Sequence, residues 1–232
     1  MRDEEALLSV ERLELTIPTV DEPVVVPPLS VGAGEWVTVT GPSGRGKSTL
    51  LETLAGLRTP RPGRGPSWTG RFRVGDAALS DEPEPGRSGH GDLAAYRRHV
   101  AWLPQRPQLE PGAVRDSFTI LAHWPDSGVR DEGAVLHDAR QILIELELPD
   151  AVLDQSSSTL SGGEITRVAL ARILLLKRPV LLLDEPGASL DTARSRRARD
   201  AVTRHLPGSA VLVAAHDEVW PIGASTTVEV GR

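Results

Sequence analysis

The stretch GPSGRGKST, Gly41 to Thr49, carries the residues best spaced for chemistry. Gly41, Gly46, Lys47 and Ser48 satisfy G-x-x-x-x-G-K-[ST], a pattern that holds a polyphosphate. Successive backbone amides and the positive end of a helix must face the phosphate oxygens, and side chains in the loop would hold the anion away, hence the glycines. On this reading Pro42, Ser43, Gly44, Arg45 and Thr49 complete the cradle, Lys47 reaches the β- and γ-phosphates as a point charge, and the Ser48 hydroxyl ligates Mg²⁺. The bland alternative, a glycine-rich turn with an exposed lysine, leaves the flanking strand and helix patterns unexplained.

A second candidate is VLLLDEP, which puts Asp184 and Glu185 at the C-terminal end of an apolar strand, where open α/β sheets bind their ligands. Asp184 suits a Mg²⁺ shell, and Glu185 can accept a proton from an attacking water. Taken alone, a solvated acidic turn closed by Pro186 explains the pair equally well; a phosphate loop upstream needs such a partner. The third candidate is LSGGE, Leu160 to Glu164. Ser161 and Glu164 form the S-x-x-E pattern of a capping box that opens the next helix. Capping does not require Gly162 and Gly163, which weaken a helix; they make sense if bare amides at a positive helix end must touch another phosphate.

The elements that must position these residues are readable from periodicity. Leu13, Leu15 and Ile17 alternate with polar neighbours and WVTVT, Trp36 to Thr40, repeats that period of two, so the N-terminal part is predicted to be strands. Leu50, Leu51, Leu54 and Leu57 fall at helical spacing and place the glycine-rich loop between strand and helix. From Thr59 to Gly91 the chain is crowded with Pro, Gly, Arg and Ser around a short strand at Thr69 to Val74, and Asp81 to Gly91 reads as a mobile surface loop. HVAWLPQRP, His99 to Pro107, is a short strand stopped by proline. Val135, Leu136, Ile142, Leu143 and Leu146 share one helical face, so roughly 107 to 158 reads as a small helical lobe. A helix (Glu164 to Lys177), an apolar strand (Val180 to Leu183), an arginine-rich helix (Asp191 to His205) and a second apolar strand (Ala210 to Ala215) follow. Continuous apolar strands alternating with helices predict an α/β fold with a parallel sheet covered on both faces.

At 232 residues, 39% hydrophobic and 25% charged, the chain can bury a full core, and its net charge of -6 points to neither nucleic acid nor anionic membrane as a partner. The absence of cysteine excludes disulfides, thiolate metal sites and cysteine nucleophiles. The acidic N-terminus is unlike a signal peptide, and no apolar run approaches the roughly 18 residues needed to span a bilayer, so a chain soluble by itself is expected.

With GPSGRGKST, LSGGE, VLLLDEP, SLD (Ser189 to Asp191) and AAHD (Ala214 to Asp217) in this order, the sequence closely resembles the nucleotide-binding subunit of an ATP-binding cassette (ABC) transporter over nearly its whole length. LSGGE shortly before VLLLDEP is the most specific feature, because the first loop alone also occurs in kinases and GTPases. The resemblance implies a P-loop NTPase with a mostly parallel core sheet, an N-terminal antiparallel β subdomain and an inserted α-helical subdomain, all in one domain: core 1–106 and 159–232, helical part about 107–158. It implies two domains stacked head to tail with ATP between the P-loop of one and LSGGE of the other, so that Ser161, Gly162, Gly163 and Glu164 meet the partner's nucleotide. Gln105 in WLPQRP corresponds to a glutamine that senses Mg²⁺ and the γ-phosphate, Glu185 to the general base, and Asp191 to an aspartate that communicates across the dimer. His216 corresponds to a histidine that contacts the γ-phosphate; alone it would read as a surface residue, and its place after AVLVAA reverses that.

The sequence also departs from the family. Members stack an aromatic ring on adenine from a position some 30 residues before the P-loop lysine, where this chain has LTIPTVDEP; Ile17, Pro18 or Val20 would pack on the base instead. Ile165 and Thr166 replace a more frequent polar pair, and Gly187 stands where threonine is usual; none of these touches an expected chemical role. The resemblance implies ATP and Mg²⁺ as cofactors, a second nucleotide-binding domain as dimer partner, a copy of this chain before a heterologous one, and a separate permease as the sole membrane contact. That would place the protein in the cytoplasm, peripheral at the inner face of the cell membrane. Gln105 to Phe118 is similar to the same segment of exporter-type cassettes and of the ATPase subunits of iron exporters, which favours export. The competing class is a cytosolic cassette ATPase that moves no cargo, for example an assembly factor for iron-sulfur clusters.

Overall fold

The computed structural model describes residues 6–58, 60, 67–82, 91–124, 131–217, 219–220 and 226–230. Ten strands and six α-helices are present among them. The strands are β1 (Leu8–Thr16), β2 (Val24–Val26), β3 (Leu29–Val31), β4 (Trp36–Thr40), β5 (Ser67–Val74), β6 (Ala77–Ser80), β7 (Val100–Leu103), β8 (Val180–Asp184), β9 (Ala210–Ala214) and β10 (Thr226–Glu229). The helices are α1 (Lys47–Leu54), α2 (Leu93–Arg97), α3 (Asp116–Ala122), α4 (Glu132–Glu145), α5 (Gly162–Leu175) and α6 (Thr192–His205).

By internal contacts the chain divides into two compact units. The first comprises Met1–Trp102, Arg178–Glu185 and Gly208–Arg232 and carries two sheets. One is antiparallel, ordered β2-β1-β5-β6 with β3 also paired to β1. Leu13 and Leu15 are buried, as the alternation of β1 predicts, and an irregularity between Val10 and Arg12 breaks that alternation, so that Leu8 and Val10 are buried as well. The other is ordered β10-β4-β9-β8-β7, and its β10/β4, β4/β9 and β9/β8 pairs are parallel. Every residue of β8 and β9 is buried, which is why these strands lack alternation. Helix α1 packs against β8 and β9 through Leu50, Leu51 and Leu54. Its C-terminal turn is held by Tyr96 of α2, whose hydroxyl donates to Leu54 O at 2.7 Å while its ring meets Phe72 edge-on at 5.6 Å. Burial pushes the Tyr96 phenol far up, so it serves as a neutral donor.

The second unit comprises Leu103–Lys177 and Pro186–Pro207 and is built on α3 to α6. Val135, Ala139, Ile142 and Leu143 form the buried face of α4, which packs on α3, α5 and α6. Arg167 of α5 donates to the carbonyls of Leu146 and Glu147 at 3.0 Å each, capping the chain where it leaves α4. Glu147 there has φ 58°, a left-handed conformation that ends the helix.

The sequence reading differs from the fold at identifiable places. Helix α1 stops at Leu54, so Leu57 is solvent-exposed and not part of the apolar face. Helix α5 begins at Gly162 and takes both glycines into its first turn. The short strands β2, β3, β6 and β10 and helices α2 and α3 are too brief to impose a period on the sequence. Of the loop read at Asp81 to Gly91, residues 83–90 lie outside the described residues.

Candidate functional site

In the first unit β4 ends at Thr40 and α1 starts at Lys47, so Gly41 to Gly46 form the turn between them. Gly41, Gly44 and Gly46 have φ of 143°, 75° and 106°, a region that L-residues other than glycine avoid. Gly41 also lacks room, since a Cβ there would lie 2.2 Å from the backbone oxygen of Val230, whereas one on Gly46 would meet the tip of the Ile17 side chain, Cδ1, at 2.4 Å. Lys47 is buried, and its Nζ donates to Gly41 O at 2.8 Å and Pro42 O at 3.1 Å, so the ammonium is held inside the arch. The arrangement presents a helix N-terminus, bare amides and a positive charge together, which suits a polyphosphate.

Beneath this loop Ser48 donates its hydroxyl to Asp184, the last residue of β8. Burial raises the Asp184 carboxyl above its ordinary range, the Ser48 bond lowers it, and Glu185 and Glu52 raise it further. A hydroxyl and a buried carboxylate are the oxygen donors a hard cation such as Mg²⁺ takes, and a cation would offset the desolvation that Asp184 bears, so these two residues fit the metal. Gln105, the third expected ligand, belongs to the second unit and is exposed there.

Glu185 follows β8 with φ 47°, an unusual conformation for a residue with a side chain. It is fixed by Glu185 N, which donates to Ala214 O at 2.7 Å, and its carboxylate lies 3.3 Å from His216 Nε2. Glu185 is largely covered and His216 half exposed. A carboxylate and an imidazole so placed can share a proton and receive one from water.

In the second unit Ser161 caps α5 with a reciprocal box. Glu164 N donates to Ser161 Oγ at 3.4 Å, and Glu164 Oε2 accepts from Ser161 N at 2.8 Å and Ser161 Oγ at 2.7 Å. These bonds hold the Glu164 carboxyl below its usual range. The two glycines differ. A Cβ on Gly163 would lie 2.8 Å from Ser189 O, whereas one on Gly162 would meet nothing within 4 Å. Close packing therefore explains Gly163, whereas packing within this chain gives no reason for a glycine at 162. Asp191 caps α6, accepting from Arg194 N at 2.8 Å and from its guanidinium at 2.6 Å, which lowers its carboxyl.

Sequence reasoning missed two features. Thr166 Oγ1 lies 2.8 Å from Ser189 Oγ, a contact that no local pattern announces. A cleft of about 540 Å³ beside the P-loop is lined by Arg45, Val20, Asp21, Glu22 and Glu229, among others, and by no aromatic residue among the described ones. Ile17, offered above as a base-packing residue, is instead buried against Gly46; Pro18 is exposed and Val20 lines the cleft.

The profile of the ABC transporter matches residues 27–188, which include the P-loop, LSGGE and the Asp184–Glu185 pair. This chain belongs to the ABC transporter family. The cassette is 33% identical over 191 residues to the probable iron export ATP-binding protein FetA of Escherichia coli, covering 82% of this chain and 76% of the relative. It is 32% identical over 209 residues to the mycobactin import ATP-binding/permease protein IrtB of Mycolicibacterium thermoresistibile, covering 85% of this chain and 33% of the relative. The cassette spans about a third of the length of the ATP-binding/permease relatives it matches. A dimeric ATP-binding cassette in a post-hydrolysis state bound to ADP and Pi superposes with a TM-score of 0.77 at 23% identity over 97% of both chains, which shows the ABC fold.

Proposed function

We propose that this cassette binds ATP on its P-loop and hydrolyses it in a head-to-tail dimer of two copies of the chain, driving a separate membrane permease in the direction of export. The observation that carries the reading is the side-by-side placement of Glu185 and His216 at the ends of adjacent strands, in the unit that also holds Lys47, Ser48 and Asp184. The Gly41–Gly46 amides and Lys47 hold the triphosphate. Ser48 and Asp184 would hold Mg²⁺, an ion to which the family resemblance also assigns Gln105, and when bound it would neutralise charge on the phosphoryl oxygens. Glu185 accepts the proton of the attacking water, and His216, within hydrogen-bond reach of that carboxylate, holds it in place and meets the γ-phosphate from the other side. Ser161, Gly162, Gly163 and Glu164 complete the enclosure from the partner, with Asp191 beside them. No helix among the described residues is long and apolar enough to cross a membrane; on this reading the free energy of closure is passed to the permease, with the cassette at the cytoplasmic face.

Export is supported by the likeness to FetA and by the Gln105–Phe118 segment, whereas IrtB, another relative, is named for import. The test is phosphate release from Mg-ATP by the purified chain, with Lys47→Ala as control, followed by isolation of the chain with its native partners. Lys47-dependent turnover and recovery with a polytopic membrane protein support the reading. Recovery with soluble proteins alone would replace it by a cargo-free ATPase, and turnover unaffected by Lys47→Ala would refute the site.

A further inference from the structure

We propose that Thr166 is a positioning residue that locks the LSGGE helix entrance to the turn carrying Asp191, so that both are presented as one rigid face; the proposal rests on the dimer reading above. Thr166 is buried on the first turns of α5, and its hydroxyl donates to Gly162 O at 3.0 Å. A hydroxyl has one proton to give, so the 2.8 Å contact with Ser189 Oγ is a bond in which the serine donates. The Thr166 oxygen thus joins the peptide group of Gly162 to the side chain of Ser189. The Gly162 carbonyl belongs to the same peptide plane as the Gly163 N–H, one of the four helix-end amides with no partner inside α5. Fixing that carbonyl therefore fixes the direction of an amide at the helix mouth.

The backbone makes the same connection independently. A Cβ on Gly163 would lie 2.8 Å from Ser189 O and 3.6 Å from Leu190 Cδ2, so the two loops touch with no room for a side chain between them. Leu190 N donates to Gly187 O at 2.9 Å, and Asp191 at once caps α6, so Ser189 sits on a short turn braced on both sides. Only the Thr166–Ser189 hydroxyl pair joins the turn to α5 by side-chain hydrogen bonding among the described residues.

The experiment is a double-mutant cycle with Thr166→Val and Ser189→Ala, plus Thr166→Ser, read by steady-state ATP turnover and by ATP affinity of the chain under non-hydrolysing conditions. Thr166→Val keeps the shape, and Ser189 is exposed enough to find water, so folding is little affected. The expected result is a kcat lowered about three- to tenfold in either single variant, no further loss in the double, ATP affinity at the P-loop unchanged, and turnover restored by Thr166→Ser. Additive losses, an unchanged kcat in Thr166→Val, or a Thr166→Ser variant as slow as Thr166→Val would overturn the proposal. ATP-dependent dimerisation of a Glu185→Gln chain is measured alongside: if that dimer forms while the cycle shows no coupling, the lock fails and the dimer reading stands; if no dimer forms, the dimer reading fails with the lock.

Discussion

His216 Nε2 lies 3.3 Å from Glu185 Oε1, two side chains brought together because β8 and β9 are parallel neighbours that end at the same level. The contact is backed by the backbone, since Glu185 N donates to Ala214 O two residues before the histidine. Replacing His216 with alanine leaves the P-loop amides and Lys47 intact. Turnover is expected to fall about 10²- to 10³-fold, the range for losing one aimed polar group at a reacting centre, with ATP affinity nearly unchanged. Single-turnover kinetics with parallel calorimetric titration separates the two.

Gly162 and Gly163 give different expectations. Gly163→Ala forces a methyl to 2.8 Å from Ser189 O, a backbone atom that cannot move aside, and should destabilise the protein by about 1–3 kcal/mol. Gly162→Ala meets open space at the exposed first position of α5 and should leave stability within about 0.5 kcal/mol while lowering ATP turnover. Chemical denaturation alongside an activity assay distinguishes a glycine kept for packing from one kept for a ligand.

That contrast marks the limit of what a sequence discloses. The P-loop, the capping box and the two buried strands are local: their signals lie within a few consecutive residues, and each stands where its pattern places it. The reason for Gly163 lies in Ser189, and the role of Thr166 in the same residue, neither of which is near in sequence. Strand β10 has a single buried residue, Val228, and exists because β4 offers it a parallel edge. Ile17 continues the alternation of Leu13 and Leu15 one residue beyond the end of β1, but only the fold brings it against Gly46.

The Asp184 carboxyl, raised chiefly by burial, makes stability depend on pH. A raised carboxyl binds its proton more tightly folded than unfolded. Its charge therefore costs nothing below the ordinary carboxylate range, and the penalty grows as pH rises through the window up to the raised folded value, remaining in full above it. In chelator at neutral pH Asp184→Asn should melt higher than the wild type, by roughly 2–4 °C for each kcal/mol relieved, and the difference should vanish in acid. Calorimetric melts at several pH values check this; a lower melting temperature for the variant at neutral pH would contradict it.

Among the described residues, the cleft lined by Arg45, Val20 and carboxylates contains no ring to stack on adenine. Losing a stacking contact is worth about 1 kcal/mol, so ATP and GTP affinities should agree within roughly fivefold. Competitive titration of the two nucleotides gives the ratio, and a strong preference for ATP would contradict the expectation.

The central claim, nucleotide enclosed by the Lys47 loop of one protomer and the Ser161 helix entrance of another, is tested most directly by the structure and solution mass of Glu185→Gln with ATP. The account predicts an ATP-dependent dimer in which Ser161 and the Gly162–Gly163 amides contact the triphosphate on the partner's P-loop, and no dimer with ADP. A chain that remains monomeric with ATP bound, or a dimer with Ser161 facing solvent, would contradict it.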